Sequence, residues 1–376
     1  MSSTNSTKTY NLWSTNGDEF IAAIIVLGLV SLVGLIGNSF VISIIVSTRR
    51  RGQRSAVQLF LLHLAISDLL VCVVCIPLTL WLIFYYPEEN VKGASGLCKF
   101  TRFVQFLAPS SSMCLLTVIS IDRYYSLVRP LQAMKAWLRP KVLITIGWIY
   151  AGAIFLPTFY FVDTEEVQWA NGTFWYCSTV PNNTLAGFSY LVFLSIFGFL
   201  IQLVTIIVLY SRVGKAVWSR ERKISRTGTM SAANVKSLDK TKKRVTQMLL
   251  TVVIFFLVCW APFVIYTGFI ERYVADFPNP ADGIRVISYG FGLFNSVCNP
   301  FIYFFNSPSF RRDSLRKVCL EIGNPTEERP GGNSDNSSRS TVISRVDTMA
   351  RGGEKSKVTN GFGNLAYQKE TYDTRL

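Results

Sequence analysis

Four long runs without a charged side chain limit what this chain can fold into more than any other feature. No Asp, Glu, Lys or Arg occurs in residues 20–48, 142–162, 245–270 or 286–310. A helix that crosses a bilayer needs about 20 mostly apolar residues, so each run can form one. With three further apolar stretches, the chain is predicted to be an all-α membrane protein, a seven-transmembrane helix bundle. The predicted spans are 20–47, 56–84, 99–121, 142–162, 186–211, 245–270 and 285–306.

The basic residues lie on one side of these spans. Of the 38 Lys and Arg residues, 32 fall in the segments 49–54, 122–141, 211–244 and 306–376. Cytoplasmic loops are enriched in Lys and Arg, so we expect a plasma-membrane protein with its N-terminus outside and its C-terminus inside. The net charge of +15 then faces membrane lipids and cytoplasmic partners rather than nucleic acid.

This topology divides the chain into four parts. We predict an extracellular N-terminus (1–19), a membrane domain (20–306), an amphipathic eighth helix (307–320) and a cytoplasmic tail (321–376). The tail is rich in Gly, Ser, Asn and charged residues, a composition typical of disorder.

The cysteines and glycosylation sequons agree with the predicted sides. Only Cys98 and Cys177 fall on the outer side, where disulfides persist, and we expect them to be joined. Sequons that begin at Asn5, Asn171 and Asn182 are predicted to be glycosylated outside the cell. Cys319 ends the eighth helix and is a candidate for palmitoylation.

An enzyme is disfavoured by the residue types present. The chain has a single histidine, His63, which lies in an apolar run and is expected to be structural. We find no nucleophile–base pair and no metal-binding set. A transporter or channel is the main alternative, but transporters tend to show internal repeats and several intramembrane charges, and this sequence shows neither.

Several short motifs fall on separate predicted spans. In chain order they are Gly37-Asn38, Leu64-Ala65-Ile66-Ser67-Asp68-Leu69, Asp122-Arg123-Tyr124, Trp148, Cys259-Trp260-Ala261-Pro262 and Asn299-Pro300-Phe301-Ile302-Tyr303. With these motifs in this order, the chain resembles the rhodopsin-like (class A) G-protein-coupled receptors over about residues 20–320. The resemblance implies a cell-surface receptor that activates a heterotrimeric G protein by outward movement of span six.

Asp68 is the only acid in the core of a predicted span. An acidic group inside the membrane is costly and functional by default. The resemblance implies that it binds an allosteric sodium ion, since hard cations prefer oxygen ligands. The alternative is a protonated Asp68 that is hydrogen-bonded within the bundle. The implied sodium ligands are Asp68, Ser112, Asn295, Ser296 and Asn299.

The resemblance also implies an activation switch. Arg123 would pair with Asp122 at rest and would later turn towards the G protein. The alternative is an arginine that merely reaches the membrane interface. Proline is a recognised cause of helix kinks, and Trp260 would couple the ligand cavity to the kink in span six. The implied switch residues are Asp122, Arg123, Tyr124, Tyr210, Phe256, Trp260, Pro262, Asn299, Pro300 and Tyr303.

Two positions depart from the family pattern. Gln202 stands where span five of the family usually has a proline. Pro109 lies in span three, facing the presumed cavity, where a proline is unusual. Both departures concern the bundle interior rather than the fold.

Gln105 gives a prediction for the ligand. Aminergic receptors carry an aspartate at this position, and opsins carry a lysine where this chain has Leu293. Glutamine recurs here among receptors resembling the neuropeptide Y, orexin and RF-amide types. We therefore expect a short neuropeptide, basic or amidated, with an amine or a lipid as the alternative. Candidate contacts are Gln105, Trp81, Glu165, Glu166, Trp260, Thr267, Glu271, Arg285 and Tyr289.

The outer segments are acidic, with a net charge of −4 that would attract cationic ligands. The second outer loop, 163–185, is long enough to carry a β-hairpin. On the inner side, phosphorylation of the tail could recruit arrestin. The ending Thr374-Arg375-Leu376 resembles a ligand for a PDZ domain.

Overall fold

The computed structural model describes residues 17–47, 55–84, 94–169, 172–177, 184–227, 232–266 and 283–322. Its contacts group the chain into a unit of residues Met1–Ser314 and a second unit of residues Leu315–Leu376. The spans, the hairpin and the sites below all lie in the first unit.

Each predicted span contains a helix. Six of the helices in the described part of the chain are long and apolar enough to cross a membrane. Spans one to three are Gly17–Ser47, Ala56–Phe84 and Ser95–Val128. Span four is Pro140–Phe155, followed by the short helix Thr158–Phe161. Spans five to seven are Leu185–Thr227, Ala232–Ile265 and Gly283–Asn306. The eighth helix is Pro308–Ile322.

Local sequence explains where some of these helices begin. Span two starts with a capping box, in which Ser55 Oγ accepts a bond from Gln58 N and Gln58 Oε1 accepts one from Ser55 N. These bonds satisfy two of the backbone donors that every helix start leaves open. Span four has Pro140 at its first position, where the missing N–H group costs nothing.

Spans three, five and six extend beyond the stretches that the sequence predicts. Span three continues past Ile121 to Val128, span five continues past Ser211 to Thr227, and span six begins at Ala232 instead of Val245. Hydropathy detects only the part of a helix that suits lipid. Beyond that part, charged residues continue the same helical hydrogen bonding of the backbone. Because these residues are polar, hydropathy does not detect the ends of the helices that they form.

Span seven mixes polar and apolar residues, and the structure separates them by face. Ser288, Asn295, Ser296 and Asn299 are buried, whereas Ile287, Phe291, Phe294, Phe301 and Phe305 are exposed. Lipid is as apolar as these exposed side chains. The polar side of span seven therefore turns into the bundle, where it can find hydrogen-bond partners.

The second outer loop forms the expected hairpin. Strand β1 (Thr164–Trp169) pairs antiparallel with β2 (Gly172–Cys177), with Thr164 opposite Cys177. Cys177 is joined to Cys98 at the outer end of span three, as the sequence predicts. Asp163, just before β1, forms an ion pair with Lys99 at 3.1 Å. The hairpin is thus attached to span three by a covalent bond and an ion pair.

Candidate functional site

Gln105 lies within a chain of hydrogen bonds at the outer end of the bundle. Arg102 Nη1 donates to Gln105 Oε1 at 2.9 Å, and Arg102 Nη2 donates to the carbonyl of Cys177 at 3.0 Å. Gln105 Nε2 donates to Thr79 Oγ1 at 3.0 Å, and Thr79 Oγ1 donates to the carbonyl of Cys75 at 2.7 Å. The chain connects the disulfide, span three and span two.

These bonds fix the orientation of the Gln105 amide. Arginine carries donors only, so the group that faces Arg102 must be the amide oxygen. The single hydroxyl hydrogen of Thr79 is used by the Cys75 carbonyl, so Thr79 can only accept from the amide NH₂. Gln105 therefore has one defined donor end and one defined acceptor end. Arg102 was not among the predicted contacts, because its position at the start of the span resembles that of an ordinary interfacial charge.

Aromatic rings from spans six and seven lie together deeper in the bundle. The ring centroids of Trp260 and Tyr289 are 6.0 Å apart, and those of Phe263 and Tyr289 are 5.1 Å apart. Tyr289 Oη lies 3.4 Å from Cys75 Sγ. Because Cys75 also accepts the Thr79 bond through its carbonyl, the aromatic group and the Gln105 chain meet on span two.

The remaining predicted ligand contacts are more scattered. Trp81 is half-buried on span two, and Glu165 is exposed on β1. Glu166 pairs with Trp175 across the hairpin, and Arg285 lies in the first turn of span seven. Thr267 and Glu271 lie outside the described residues. The structure therefore brings together Gln105, Trp260 and Tyr289. The other candidate ligand contacts stay predictions.

A second polar cluster surrounds Asp68 in the middle of the bundle. Asn299 Nδ2 donates to Asp68 Oδ2 at 2.8 Å, and the hydroxyls of Ser112 and Ser296 also face the carboxylate. Ser67 Oγ lies 2.9 Å from Ser112 Oγ. Asp68, Ser112, Asn295, Ser296 and Asn299 are all at most 3% exposed.

This cluster has unused acceptor oxygens. Asp68 Oδ1, Asn295 Oδ1 and Asn299 Oδ1 are buried and accept no hydrogen bond from the described residues. Buried acceptors without a partner are costly. Oxygen atoms are the ligands that hard cations such as Na⁺ prefer. The residues present therefore fit a small cation.

The inner end of span three carries a largely buried ion pair. Arg123 Nε donates to Asp122 Oδ2 at 2.9 Å, and Arg123 Nη2 contacts the same oxygen. The two side chains are 11% and 8% exposed. Tyr124, the third residue of the motif, is buried and packs edge-on against Tyr125.

The two tyrosines of the predicted switch are buried near this end of the bundle. The hydroxyls of Tyr210 and Tyr303 accept and donate no hydrogen bond among the described residues. Tyr303 packs instead against Phe310, with ring centroids 6.0 Å apart. Among the described residues, the guanidinium group of Arg123 therefore bonds to Asp122 and to neither tyrosine hydroxyl.

The prolines of the predicted switch lie inside helices. Pro262 is within span six, two residues after Trp260, whose ring centroid lies 6.2 Å from that of Phe256. Pro300 is within span seven, and its ring lies 3.0 Å from where a Cβ on Gly37 would be. Gly37 thus allows spans one and seven to approach closely at Pro300.

Pro109, the unusual proline of span three, does not break the helix. A proline has no N–H group to offer the carbonyl four residues earlier, and that carbonyl belongs to Gln105. The predicted glycosylation sequons at Asn5, Asn171 and Asn182, and the tail residues Thr374 and Leu376, lie outside the described residues. Cys319 lies in the eighth helix.

The comparison with known protein families fits this geometry. A sequence model described as "7 transmembrane receptor (rhodopsin family)" matches residues 37–303. This chain belongs to that family. The match covers every motif from Gly37 to Tyr303, including Asp68, the Asp122–Arg123 pair and Trp260.

Individual proteins are similar to this receptor over most of their length. The pyroglutamylated RF-amide peptide receptor of Mus musculus is 28% identical over 332 residues, which cover 85% of this chain and 74% of that protein. Galanin receptor type 1 of Homo sapiens is 28% identical over 299 residues, or 79% and 81% of the two chains. Squid rhodopsin has the same fold, with a TM-score of 0.65, 18% identity and coverage of 90% and 92%.

Family membership decides several of the sequence-based predictions. The seven-helix fold, the resemblance to class A receptors and the expectation of a receptor rather than an enzyme are confirmed. The alternative of a transporter or channel is wrong, because the family consists of transmembrane receptors. The receptor is a multi-pass membrane protein.

Proposed function

We propose that this receptor recognises a short, amidated neuropeptide at the plasma membrane and activates a heterotrimeric G protein. The observation that carries this proposal is the Gln105 amide, which Arg102 and Thr79 hold in one orientation. Two similar proteins, from Mus musculus and Homo sapiens, are named for the peptides that they bind.

Arg102 favours a peptide over an amine. Its guanidinium group contacts Gln105 directly, so a protonated amine beside Gln105 would face a like charge. A neutral carboxamide has both a carbonyl acceptor and an NH₂ donor, which match the donor and acceptor ends of this site. A basic residue of the peptide is better placed near the acidic outer loops, where Glu165 is exposed.

The proposed route of the signal runs from Gln105 through the aromatic group to the inner end of the bundle. A ligand that displaces Tyr289 or Trp260 also moves Phe256, since these rings contact one another. Pro262 lies next to this group in span six, and a kink there lets the inner end swing outward. Release of Arg123 from Asp122 then exposes a cation to the G protein.

A sodium ion in the Asp68 cluster is part of the proposal. Asp68, Ser112, Asn295, Ser296 and Asn299 would hold it. When bound, the ion supplies a positive charge that compensates the buried carboxylate. The oxygen atoms of spans two, three and seven would then be held together, which favours the resting arrangement.

Other features of the proposal concern the two termini, the glycosylation sequons and the eighth helix. We place the N-terminus outside, with sugars on Asn5, Asn171 and Asn182, and the C-terminus inside. Arrestin would bind the phosphorylated tail, and a PDZ domain would bind the last three residues. Palmitate on Cys319 would anchor the eighth helix. The positive-inside bias and the Cys98–Cys177 disulfide support this orientation.

The proposal can be tested with a library of short amidated peptides. Cells that express the full chain and a promiscuous G-protein reporter are exposed to the peptides, with amines and lipids in parallel. A saturable peptide response is expected, and Gln105→Ala should weaken it by about 10- to 100-fold, the usual effect of losing an interaction worth about 1.4–2.8 kcal/mol. Phe100→Leu, at an exposed position of the same helix, serves as the matched control.

The outcomes separate the possible ligand classes. A response to amines or lipids alone would refute the peptide ligand and would leave the receptor fold intact. A peptide response that Gln105→Ala leaves unchanged would refute the assigned cavity. In each case, surface expression of the variants is measured by antibody staining of intact cells.

A further inference from the structure

Span five contains a segment that is wound more loosely than an α-helix. Residues Leu194–Leu200 form a π-helix, between the α-helices Leu185–Phe193 and Ile201–Thr227. Such segments are rare, are short, and recur at functional sites. They insert one residue into the helix relative to regular α-helical winding.

The inserted residue decides which way each half of span five faces. An α-helix turns about 100° per residue. Without an insertion, Tyr190 and Gln202 would point about 120° apart, whereas one inserted residue reduces this angle to about 20°. Both side chains are buried, at 5% and 3% exposure. The π-helix thus allows the two halves of span five to face the bundle together.

The inner half depends on this alignment because Gln202, Ile206, Tyr210 and Val213 form a single buried stripe. Tyr210 belongs to the predicted switch. If the π-helix were lost and the outer half stayed in place, the stripe would rotate by about 100°. Tyr210 would then turn away from the bundle interior.

Two side chains donate hydrogen bonds to carbonyls of the π-helix. Gln202 Nε2 donates to the carbonyl of Gly198 at 2.8 Å and to that of Phe197 at 3.2 Å. Tyr150 Oη, from span four, donates to the same Phe197 carbonyl at 2.8 Å. The Phe197 oxygen therefore accepts from span four and span five at once.

These hydrogen bonds matter because lipid tails cannot donate a hydrogen bond to a backbone carbonyl. In the bilayer, each backbone polar group must find its partner within the protein. Irregular winding weakens the regular pattern of backbone hydrogen bonds in a helix. Polar side chains that donate to the affected carbonyls therefore stabilise the π-helix. Gly198 faces span four, where a Cβ would make an ordinary van der Waals contact with Phe155 Cζ at 3.4 Å.

We propose that Gln202 and Tyr150 are positioning residues of the receptor: together they hold the π-helix of span five and so keep Tyr210 turned into the bundle. Gln202 stands where a proline was expected, and its amide favours the irregular segment by supplying donors. The proposal does not depend on which ligand the receptor binds.

Hydrogen exchange provides the test, because it reports the opening of individual segments. The full-length receptor is placed in lipid nanodiscs, and exchange of residues 194–202 is followed by mass spectrometry in four forms: wild type, Tyr150→Phe, Gln202→Met and the double variant. Methionine is close to glutamine in shape and lacks the N–H donors. Ser189→Ala, which removes a hydroxyl bond to the carbonyl of Leu185 in the same span, is the matched control.

Each single variant should speed exchange of residues 194–202 modestly, because the other donor still serves the Phe197 carbonyl. The double variant should speed it by about tenfold more than the product of the two single effects, a coupling typical of groups that share one partner. Ser189→Ala should leave this segment unchanged.

Independent effects would overturn the proposal. The two donors do not hold the segment together if the effects of the two substitutions on the exchange rate simply multiply. The same conclusion follows if residues 194–202 of the double variant exchange at the wild-type rate. Should Gln202→Met fail to fold, Tyr150→Phe alone decides the matter. This change removes one hydroxyl from a partly exposed position, and unchanged exchange at residues 194–202 would be sufficient to reject the proposal.

Discussion

The indole of Trp260 packs directly against the backbone of Gly292. A Cβ on Gly292 would lie 2.9 Å from Trp260 Cε3 and 3.0 Å from Cδ2, too close for the ring to stay where it is. Spans six and seven therefore pack so closely here that the methyl group of an alanine at position 292 would not fit without a shift of the ring. The same indole also packs against the ring of Tyr289, with the two ring centroids 6.0 Å apart.

We expect Gly292→Ala to displace Trp260 and to destabilise the receptor by about 1–3 kcal/mol, the usual cost of overpacking. Thermal unfolding in detergent measures this effect. Gly152→Ala is the control, because a Cβ there meets nothing within 4 Å. It should be neutral or slightly stabilising. Equal unfolding temperatures for Gly292→Ala and wild type would contradict the packing argument.

Arg123→Ala should abolish activation of the G protein and should leave surface expression and ligand binding mostly intact. Asp122→Asn should have the opposite effect, because it weakens the ion pair but keeps Arg123. A loss of about 1–2 kcal/mol would raise the active population roughly 5- to 30-fold. GTP loading without ligand measures this rise. Normal signalling by Arg123→Ala would reject the assigned switch.

Sodium should stabilise the receptor through the Asp68 cluster. At ten times its dissociation constant, an ion that binds only the folded state adds about 1.4 kcal/mol. We expect the unfolding temperature to be higher in sodium chloride than in choline chloride, and Asp68→Asn to remove this difference. Asp163→Asn, an acid outside the bundle, should retain it. A sodium effect that survives Asp68→Asn would place the ion elsewhere.

The ion pair of the hairpin should respond to acid in a defined range. Hydrogen bonds from Ser95 Oγ and the Thr164 N–H, together with Lys99, lower the pKa of Asp163 from 3.8 to about 2. A lowered pKa stabilises the fold above the unfolded value near 4, and this contribution is lost as the pH falls towards 2. Asp163→Asn should therefore lower the unfolding temperature equally at pH 7 and pH 5. A difference that already shrinks between pH 7 and pH 5 would contradict this assignment.

His63 and Trp148 should be energetically coupled. Trp148 Nε1 donates to His63 Nδ1 at 3.3 Å, which links span two to span four. Hydrogen bonds between membrane helices average about 0.6 kcal/mol and reach about 1.7 kcal/mol. A double-mutant cycle with His63→Leu and Trp148→Phe, read by thermal unfolding, should give a coupling in this range. Additive effects of the two changes would show that the contact carries no energy.

The structural role of His63 was predictable only in part. A lone histidine in an apolar run is expected to be structural, but nothing in its neighbourhood points to Trp148, which is 85 residues away. The Cys98–Cys177 bond was easier to predict, because the other six cysteines fall in spans or on the inner side. The side of the membrane on which a segment lies can be predicted from the distribution of basic residues along the chain. The contact of two side chains on different helices cannot be predicted in this way.

The sequence by itself determined the number of spans, the disulfide and the positions of Asp68, Arg123 and Trp260. Charge-free runs must lie in lipid, and this requirement leaves little freedom. Only the tertiary structure decided that Arg102 reaches the carbonyl of Cys177, that Gln105 reaches Thr79 of span two and that Tyr150 of span four reaches the carbonyl of Phe197. These contacts depend on the rotation and approach of separate helices, which are set by packing across the bundle and leave no local pattern along the chain.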